Sequence, residues 1–205
     1  MSTVTKYTNK TWYWRDGSKR TDTATFAIGR TSSGTNVYYA IAEFDLASEL
    51  AGKTIKSVKY GVKSNADGNS TDCPAGVFIS KYNTWDTCIS AMKTPNGTNT
   101  IKDADTTNYV EFDCTANAYV LQNTGTSYVI LGHTTTTNST YKVLYGSSAA
   151  EGNRPYLKIE FQDGTVKYYT GTAWQTCEVN YHNGTSWVKC KPYYHDGTGW
   201  KECGV

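Results

Sequence analysis

Long apolar runs, clustered charge and helical periodicity are all scarce in this chain of 205 residues. No apolar run approaches the ~18 residues needed to span a bilayer. Basic residues are scattered, and a net charge of +2 gives no electrostatic reason to expect nucleic acid or an anionic membrane as a partner. Only 2 Met and 4 Pro occur, and no segment of about ten residues carries the 3.6-residue period of a helix. These absences argue against membrane insertion, nucleic-acid binding and an all-helical fold.

The residues that are abundant predict a β-rich protein. The chain has 17 Tyr, 6 Trp and 18 Gly, together with many Thr, Ser and Asn. Thr, Tyr, Val and Trp favour strands, while Gly and Asn favour turns. Short strand candidates separated by turn signals predict an all-β fold with a jelly-roll-like β-sandwich. The predicted strands are Thr25–Ile28, Val37–Phe44, Ile55–Val62, Gly76–Tyr82, Tyr109–Asp113, Tyr128–Gly132, Tyr141–Tyr145 and Tyr156–Phe161, and one helical turn is predicted at Thr115–Leu121.

A 13-residue unit occurs three times at the C-terminal end of the sequence. Each unit contains a Tyr, a turn rich in Gly, Asn, Asp and Thr, and the pattern Trp-x-x-Cys. The positions in register are Tyr168, Tyr181 and Tyr194; Gly171, Gly184 and Gly197; Thr172, Thr185 and Thr198; Trp174, Trp187 and Trp200; and Cys177, Cys190 and Cys203. A fixed period indicates a repeat architecture, and a unit of this length accommodates a strand, a turn and a return strand. We therefore expect a sandwich over residues 1–162 and a small β-meander over residues 163–205.

Two segments of the sandwich block resemble a known family. The first runs from Phe44-Asp45-Leu46 through Gly52-Lys53-Thr54-Ile55 to Ser57-Val58, and the second combines Ser148 and Glu151 with the segment 154–161. These segments are similar to an internal segment and to the closing strand of DNRLRE-type β-sandwich domains, which often carry a Trp where Trp85 lies. The resemblance covers roughly residues 5–161. It implies a jelly-roll-like module of surface or secreted proteins, related in shape to carbohydrate-binding modules.

The C-terminal units resemble a second group of proteins. Their Trp-x-x-Cys and Asp-Gly-Thr-x-Trp patterns are similar to the C-terminal decorations of tail and appendage proteins from phages and prophages of Gram-positive bacteria. A looser similarity connects them to aromatic cell-wall-binding repeats. This resemblance implies a location in a virion or at the cell surface, and residues Met1–Lys10 lack the apolar centre of a secretory signal.

Seven aromatic residues are the candidates for ligand binding. They are Trp12, Trp14, Tyr38 and Tyr39 in the sandwich block, and Trp174, Trp187 and Trp200 in the repeats. Neighbouring side chains of a strand face opposite sides, so the first two Trp share a face and the two Tyr take one side each. An exposed ring stacks on a sugar, with cation–π help from Arg15 or Arg30. The alternative is that these rings form the core of the sandwich and of a repeat unit too small to have another core.

The six cysteines leave the redox state open. Cys73 and Cys88 lie 15 residues apart, and a disulfide between them would contribute about 3 kcal/mol. The interpretation that we favour is reduced thiols that pack as small hydrophobic groups. The repeats supply enough ligands for a tetrahedral zinc site, but they lack the close Cys pairs typical of one. The ligands of this zinc site would be Cys177, Cys190, Cys203, His182 and His195. The other interpretations of the three cysteines are core packing and an intersubunit disulfide.

Paired carboxylates are the feature that would support catalysis. Glu43 with Asp45, and Glu111 with Asp113, form i, i+2 pairs on predicted strands. Glycosidases need two carboxylates about 5 to 9 Å apart. However, the sequence contains no nucleophile elbow, P-loop or dinucleotide-binding fingerprint, and none of its three His has a nucleophile partner.

Taken together, these features predict a non-catalytic virion or surface-appendage protein that binds a bacterial-surface carbohydrate, with no metal and no cofactor. Homo-oligomerisation through the repeats is expected as a further contact. Two alternatives stay open, a structural assembly protein whose repeats form a subunit interface and a polysaccharide-degrading enzyme.

Overall fold

The computed structural model describes residues 2–68, 71–102, 105–123, 125–163, 166–177, 180–189, 193–195 and 198–202. Antiparallel strands dominate, and the all-β sandwich predicted from composition is confirmed. In chain order the sandwich strands are β1 Ser2–Tyr7, β2 Thr11–Arg15, β3 Ser18–Arg20, β4 Thr25–Arg30, β5 Val37–Phe44, β6 Lys53–Val62, β7 Ser64–Gly68, β8 Cys73–Ser80, β9 Gly97–Ile101, β10 Val110–Asp113, β11 Ser127–His133, β12 Lys142–Tyr145 and β13 Tyr156–Asp163.

Two sheets face each other across the main core. The smaller sheet has the order β1-β13-β6-β10. The larger sheet follows the path β7-β12-β4-β5-β11-β8-β9, with β2 paired to β5 and β3 paired to β2. Its curvature resembles half of a barrel, and the short, charged strand β3 protects the edge beside β2 from further pairing.

Alternation along the strands separates the core from the outer faces. In β6, Val58, Tyr60 and Val62 are buried between the sheets, while the side chain of Lys59 is exposed on the outer face. Strands from the opposite sheet contribute residues such as Phe26 and Leu131 to the same cluster. This alternation places the apolar side chains of β6 in the core and Lys59 in solvent.

A second hydrophobic layer covers the outer face of the larger sheet. It is formed by the helix α2, Trp85–Lys93, which the sequence analysis did not predict. The backbone N–H of Thr87 donates to the Thr84 hydroxyl at 3.2 Å, so Thr84 caps the start of this helix. The two other helices are α1, Ala47–Leu50, and α3, Tyr119–Asn123. No helix in the described ranges is long and apolar enough to cross a membrane.

The predicted strands agree with the structure, with shifts at their ends. Val37–Phe44 has the predicted bounds, and the other predicted strands each overlap an observed strand. The predicted helical turn at 115–121 corresponds to a 3-10 turn at Thr115–Asn117 followed by α3. The last sandwich strand continues to Asp163, which pairs with Lys53. The domain boundary near residue 162 remains a prediction.

The C-terminal units form three successive hairpins. Their strands are β14 Val166–Tyr169, β15 Trp174–Cys177, β16 Asn180–His182, β17 Trp187–Lys189, β18 Tyr193–His195 and β19 Trp200–Glu202. Each unit contributes one antiparallel pair, as its length predicts. Over the described residues each pair is a separate two-stranded sheet, so the predicted meander consists of three hairpins without a shared ladder.

Candidate functional site

The aromatic candidates of the sandwich are mostly buried. Trp12, Tyr38 and Tyr39 expose only 2%, 7% and 6% of their surface. Trp14 is half-buried, and its indole Nε1–H donates to the carbonyl oxygen of Asn83 at 2.6 Å. The prediction that Trp12, Tyr38 and Tyr39 stack on a ligand must be corrected, because stacking requires an accessible ring face. For Trp14 it stays a prediction.

Their packing follows the alternation that the sequence predicts. Trp12, Trp14 and Tyr39 belong to the layer beneath α2, whereas Tyr13 packs against the main core. Tyr38, on the side opposite Tyr39, packs against other tyrosine rings and beneath a guanidinium. The ring of Tyr39 contacts Trp85 edge-on, with centroids 5.1 Å apart. The alternative interpretation, core aromatics, is thus the one that the structure supports for these rings.

The carboxylates of the candidate pair Glu111 and Asp113 accept hydrogen bonds from neighbouring residues. The Tyr156 hydroxyl donates to Glu111 Oε1 at 2.6 Å, and Lys59 lies 3.2 Å from Oε2. The hydrogen bond from Tyr156 lowers the pKa of Glu111, and Lys59 lowers it further. Hydrogen bonds from Thr115 likewise lower the pKa of Asp113. A glycosidase acid instead needs a raised pKa, so this pair does not have the electrostatics of such a site.

The second carboxylate pair gives no better candidate. Glu43 forms an ion pair with Lys10 at 2.9 Å, and Asp45 is exposed at the end of β5. Exposed ion pairs of this kind contribute at most about 1 kcal/mol to stability. Neither Glu43 nor Asp45 is buried in an apolar pocket of the kind that holds a general acid.

The three sandwich cysteines are free and buried. Cys73 lies in the core between the sheets, whereas Cys88 lies on α2 in the layer outside the larger sheet. The sheet therefore separates the two thiols, and the candidate disulfide between them is absent. Burial raises the pKa of each of these two thiols to about 12. Such thiols are poor nucleophiles at neutral pH.

The candidate metal ligands of the repeats lie largely outside the described structure. Cys190 and Cys203 fall outside the described residues, as do the side chains of Cys177 and His195. His182 is described and exposed. Within the described ranges, no group of three or more His, Cys, Asp or Glu residues is placed to hold a metal ion. The zinc alternative is left as a prediction.

In the first two hairpins, the side chain at the same position of the repeat accepts hydrogen bonds from the backbone of the turn. In the second hairpin, Asn183 Oδ1 accepts hydrogen bonds from the backbone N–H groups of Thr185 and Ser186 at 3.0 and 2.8 Å. In the first, the Thr170 hydroxyl oxygen accepts from the backbone N–H of Ala173 at 3.1 Å. Asn and Thr are turn residues because their short side chains reach the nearby backbone in this way. The repeat therefore encodes a turn closed by side-chain hydrogen bonds directly before Trp174 and Trp187.

The following Gly completes this turn. Gly171 and Gly184 have φ angles of +97° and +102°, which a residue with a Cβ rarely adopts. Both turns also close with a backbone bond across the loop, at 2.9 Å in the first and 3.0 Å in the second. Backbone conformation thus requires Gly at these two positions.

The second hairpin presents its Trp to solvent. Trp187 is the first residue of β17, pairs with His182, and exposes 73% of its surface. The two rings meet edge-on with centroids 5.3 Å apart. Trp174 and Trp200 hold the same register, opposite Tyr169 and His195, but their side chains lie outside the described structure. For Trp187 the prediction of an exposed aromatic agrees with the structure.

A polar contact between β4 and β11 was missed by the sequence analysis. Arg30 Nε donates to His133 Nε2 at 3.0 Å, although the residues are 103 positions apart. His133 is 6% exposed and stacks on Tyr39. Burial, and to a smaller extent the charge of Arg30, lowers the pKa of His133 to about 4. The only sequence signal was the position of each residue at the end of an apolar strand.

Neither the known protein-family models nor the curated protein sequences give a match to this chain. The similarity to DNRLRE-type domains and to phage appendage repeats therefore remains a prediction.

Proposed function

We propose that this protein is a non-catalytic recognition protein of a virion or bacterial surface appendage, and that it binds a bacterial-surface carbohydrate through its C-terminal hairpins. One observation carries the proposal. Trp187 exposes 73% of its surface to solvent. It follows a turn in which Asn183 accepts a hydrogen bond from the backbone N–H of Thr185 and Gly184 has a positive φ angle. Large exposed Trp rings are costly to leave in water and are enriched at recognition surfaces.

The hairpin restrains the indole ring of Trp187 in an orientation that suits a flat apolar partner. His182 contacts the indole edge-on, and its Nδ1 accepts the backbone N–H of Gly184 at 3.2 Å. The ring therefore has a neighbour that limits its rotation, which reduces the entropy lost on binding. The apolar C–H face of a sugar ring fits such a platform.

Repetition converts this weak contact into useful affinity. Three hairpins carry Trp at the same register position. A polysaccharide or cell wall offers many equivalent sugars, so binding of one hairpin raises the effective concentration for the next. Modest stacking energies at each hairpin therefore suffice for attachment to a surface.

The test is binding of purified full-length protein to Gram-positive cell walls in a pull-down, followed by a glycan array. We expect Trp187→Ala to weaken binding, and Trp174→Ala, Trp187→Ala and Trp200→Ala combined to abolish it. Tyr82→Ala is the matched control, because Tyr82 is 70% exposed but lies in the sandwich. Equal binding by the triple variant and the wild type would overturn the proposal.

Self-assembly is the second candidate function, and a different observation favours it. The hairpin ladders contain only three or four residue pairs each, and an isolated two-stranded hairpin is marginally stable in water. Packing against the hairpins of another copy would supply the missing contacts. Light scattering separates the two functions: assembly predicts that the wild type is an oligomer and the triple Trp variant a monomer, whereas carbohydrate recognition predicts the same mass for both.

A further inference from the structure

Among the described residues, no carboxylate pairs with the guanidinium of Arg30, which lies at the end of the larger sheet. Its side chain is half-buried, and none of the ion pairs among the described residues involves it. Its Nε–H is instead used by a neutral acceptor, His133 Nε2. A partly desolvated cation without a counter-ion is unfavourable, so this position favours binding of an anion.

His133 orients the guanidinium in a fixed way. Because its Nε2 accepts from Arg30, the proton of the neutral imidazole lies on Nδ1. The ring is also held by Tyr39, with centroids 5.8 Å apart and planes inclined by 27°. The bond to His133 uses the Nε–H of Arg30, and a guanidinium is a planar group that recognises oxyanions through paired N–H donors.

Two buried polar atoms of the same strand end lack partners. His133 Nδ1 and Thr135 Oγ1 have no hydrogen bond to the described part of the chain. An unpartnered buried donor costs about 1 to 3 kcal/mol, and its presence in a native fold requires an explanation. A site that favours ligand binding over stability is one such explanation.

The loops that follow these residues add hydroxyl groups. Thr31, Ser33 and Thr35 form a chain of side-chain contacts at 3.2 and 2.7 Å. This loop is tied to the one after His133, since the backbone N–H of Ser139 donates to the Thr31 carbonyl at 3.2 Å. The backbone N–H of Arg30 itself donates to Thr140 Oγ1. The loop after β4 and the loop after β11, both rich in hydroxyl groups, are thus joined to each other and to the end of β4.

We propose that Arg30, oriented by His133, forms a binding site for an oxyanion, such as the phosphate, sulfate or carboxylate group of a charged ligand. The site lies in the sandwich and does not depend on the C-terminal hairpins. It needs no metal and no conformational change larger than a side-chain rotation of Arg30. Its chemistry is recognition of negative charge by a planar cation and neighbouring hydroxyls.

The test uses full-length protein and NMR of the His133 ring. Sodium phosphate, sodium sulfate and sodium glucuronate are titrated separately at constant ionic strength against sodium chloride, which distinguishes tetrahedral anions from a carboxylate. We expect a saturable shift of the His133 signals with at least one oxyanion. Arg30→Gln should weaken it at least about tenfold, in line with loss of a charge-assisted bond. Arg20→Gln is the control, because Arg20 is exposed on β3.

A second variant keeps the result interpretable if Arg30→Gln disturbs the fold. Arg30→Lys retains the charge but loses the planar fork, so we expect an affinity between the wild type and Arg30→Gln. A shift that is linear and equal to that of chloride would overturn the proposal. Equal affinities for wild type, Arg30→Gln and Arg30→Lys would also overturn it, since the anion would then bind elsewhere.

Discussion

His133 makes the stability of the sandwich depend on pH in a defined window. Its ordinary pKa of 6.5 is lowered to about 4 in the folded protein, first by burial and then by Arg30. The charged group that faces it is the Arg30 guanidinium, and the aromatic ring that stacks on it is Tyr39. Both the burial and the cation disfavour the imidazolium form.

The sign and the size of the effect follow from these two pKa values. The unfolded chain binds the proton more readily, so the stabilising contribution is complete above pH 6.5 and is lost as the pH falls towards 4. Between pH 7.5 and 4.5, this one residue accounts for a loss of about 2.5 kcal/mol in the free energy of unfolding. That is a large fraction of the net stability of a typical domain.

Urea unfolding at pH 7.5, 6.5, 5.5 and 4.5, followed by Trp fluorescence, measures this loss. We expect His133→Gln to remove about that part of the pH dependence, because Gln retains an acceptor for Arg30 but does not titrate. His182→Gln serves as the control, since His182 is exposed in a hairpin, and its curve should follow the wild type. Parallel curves for His133→Gln and the wild type below pH 6.5 would refute the reasoning.

Two further predictions concern the sandwich itself. Gly29 has φ +97°, and a Cβ there would meet the carbonyl oxygen of Thr140, so Gly29→Ala should lower the free energy of unfolding by about 2 to 4 kcal/mol. Gly152→Ala, where a Cβ meets nothing within 4 Å, should leave the urea midpoint nearly unchanged. Tyr156→Phe removes the 2.6 Å bond to Glu111. It should cost about 1.5 to 3 kcal/mol at pH 7 and raise the pKa of Glu111, which NMR titration measures; an unchanged pKa would contradict the assigned cause.

The strands and turns were predictable because their signals are local. Val37–Phe44 has the predicted bounds, since a continuous run of β-formers lies between two turn signals. The helix α2 was missed because its nine residues are too few to show a clear period, and its cap at Thr84 looks like an ordinary loop. Tertiary packing against the larger sheet stabilises it.

The candidate site was only partly predictable, because the exposure of a side chain is not a local property. Trp12 and Trp187 are both strand tryptophans, yet one exposes 2% of its surface and the other 73%. The first is covered by a helix more than 70 residues further along the chain, which no pattern around Trp12 indicates. The contact between Arg30 and His133 escaped the sequence analysis for the same reason.

The sequence by itself determined the all-β class, most strand positions, the alternation that sends Tyr13 and Trp14 to opposite sides, and the strand pair of each C-terminal unit. Each depends on side-chain periodicity or on turn chemistry within a few residues. Only the tertiary structure decided which aromatic rings are covered, that Cys73 and Cys88 lie on opposite sides of a sheet, and that Arg30 meets a histidine. Those outcomes depend on which distant elements pack together, because burial and pairing are set by the assembled layers.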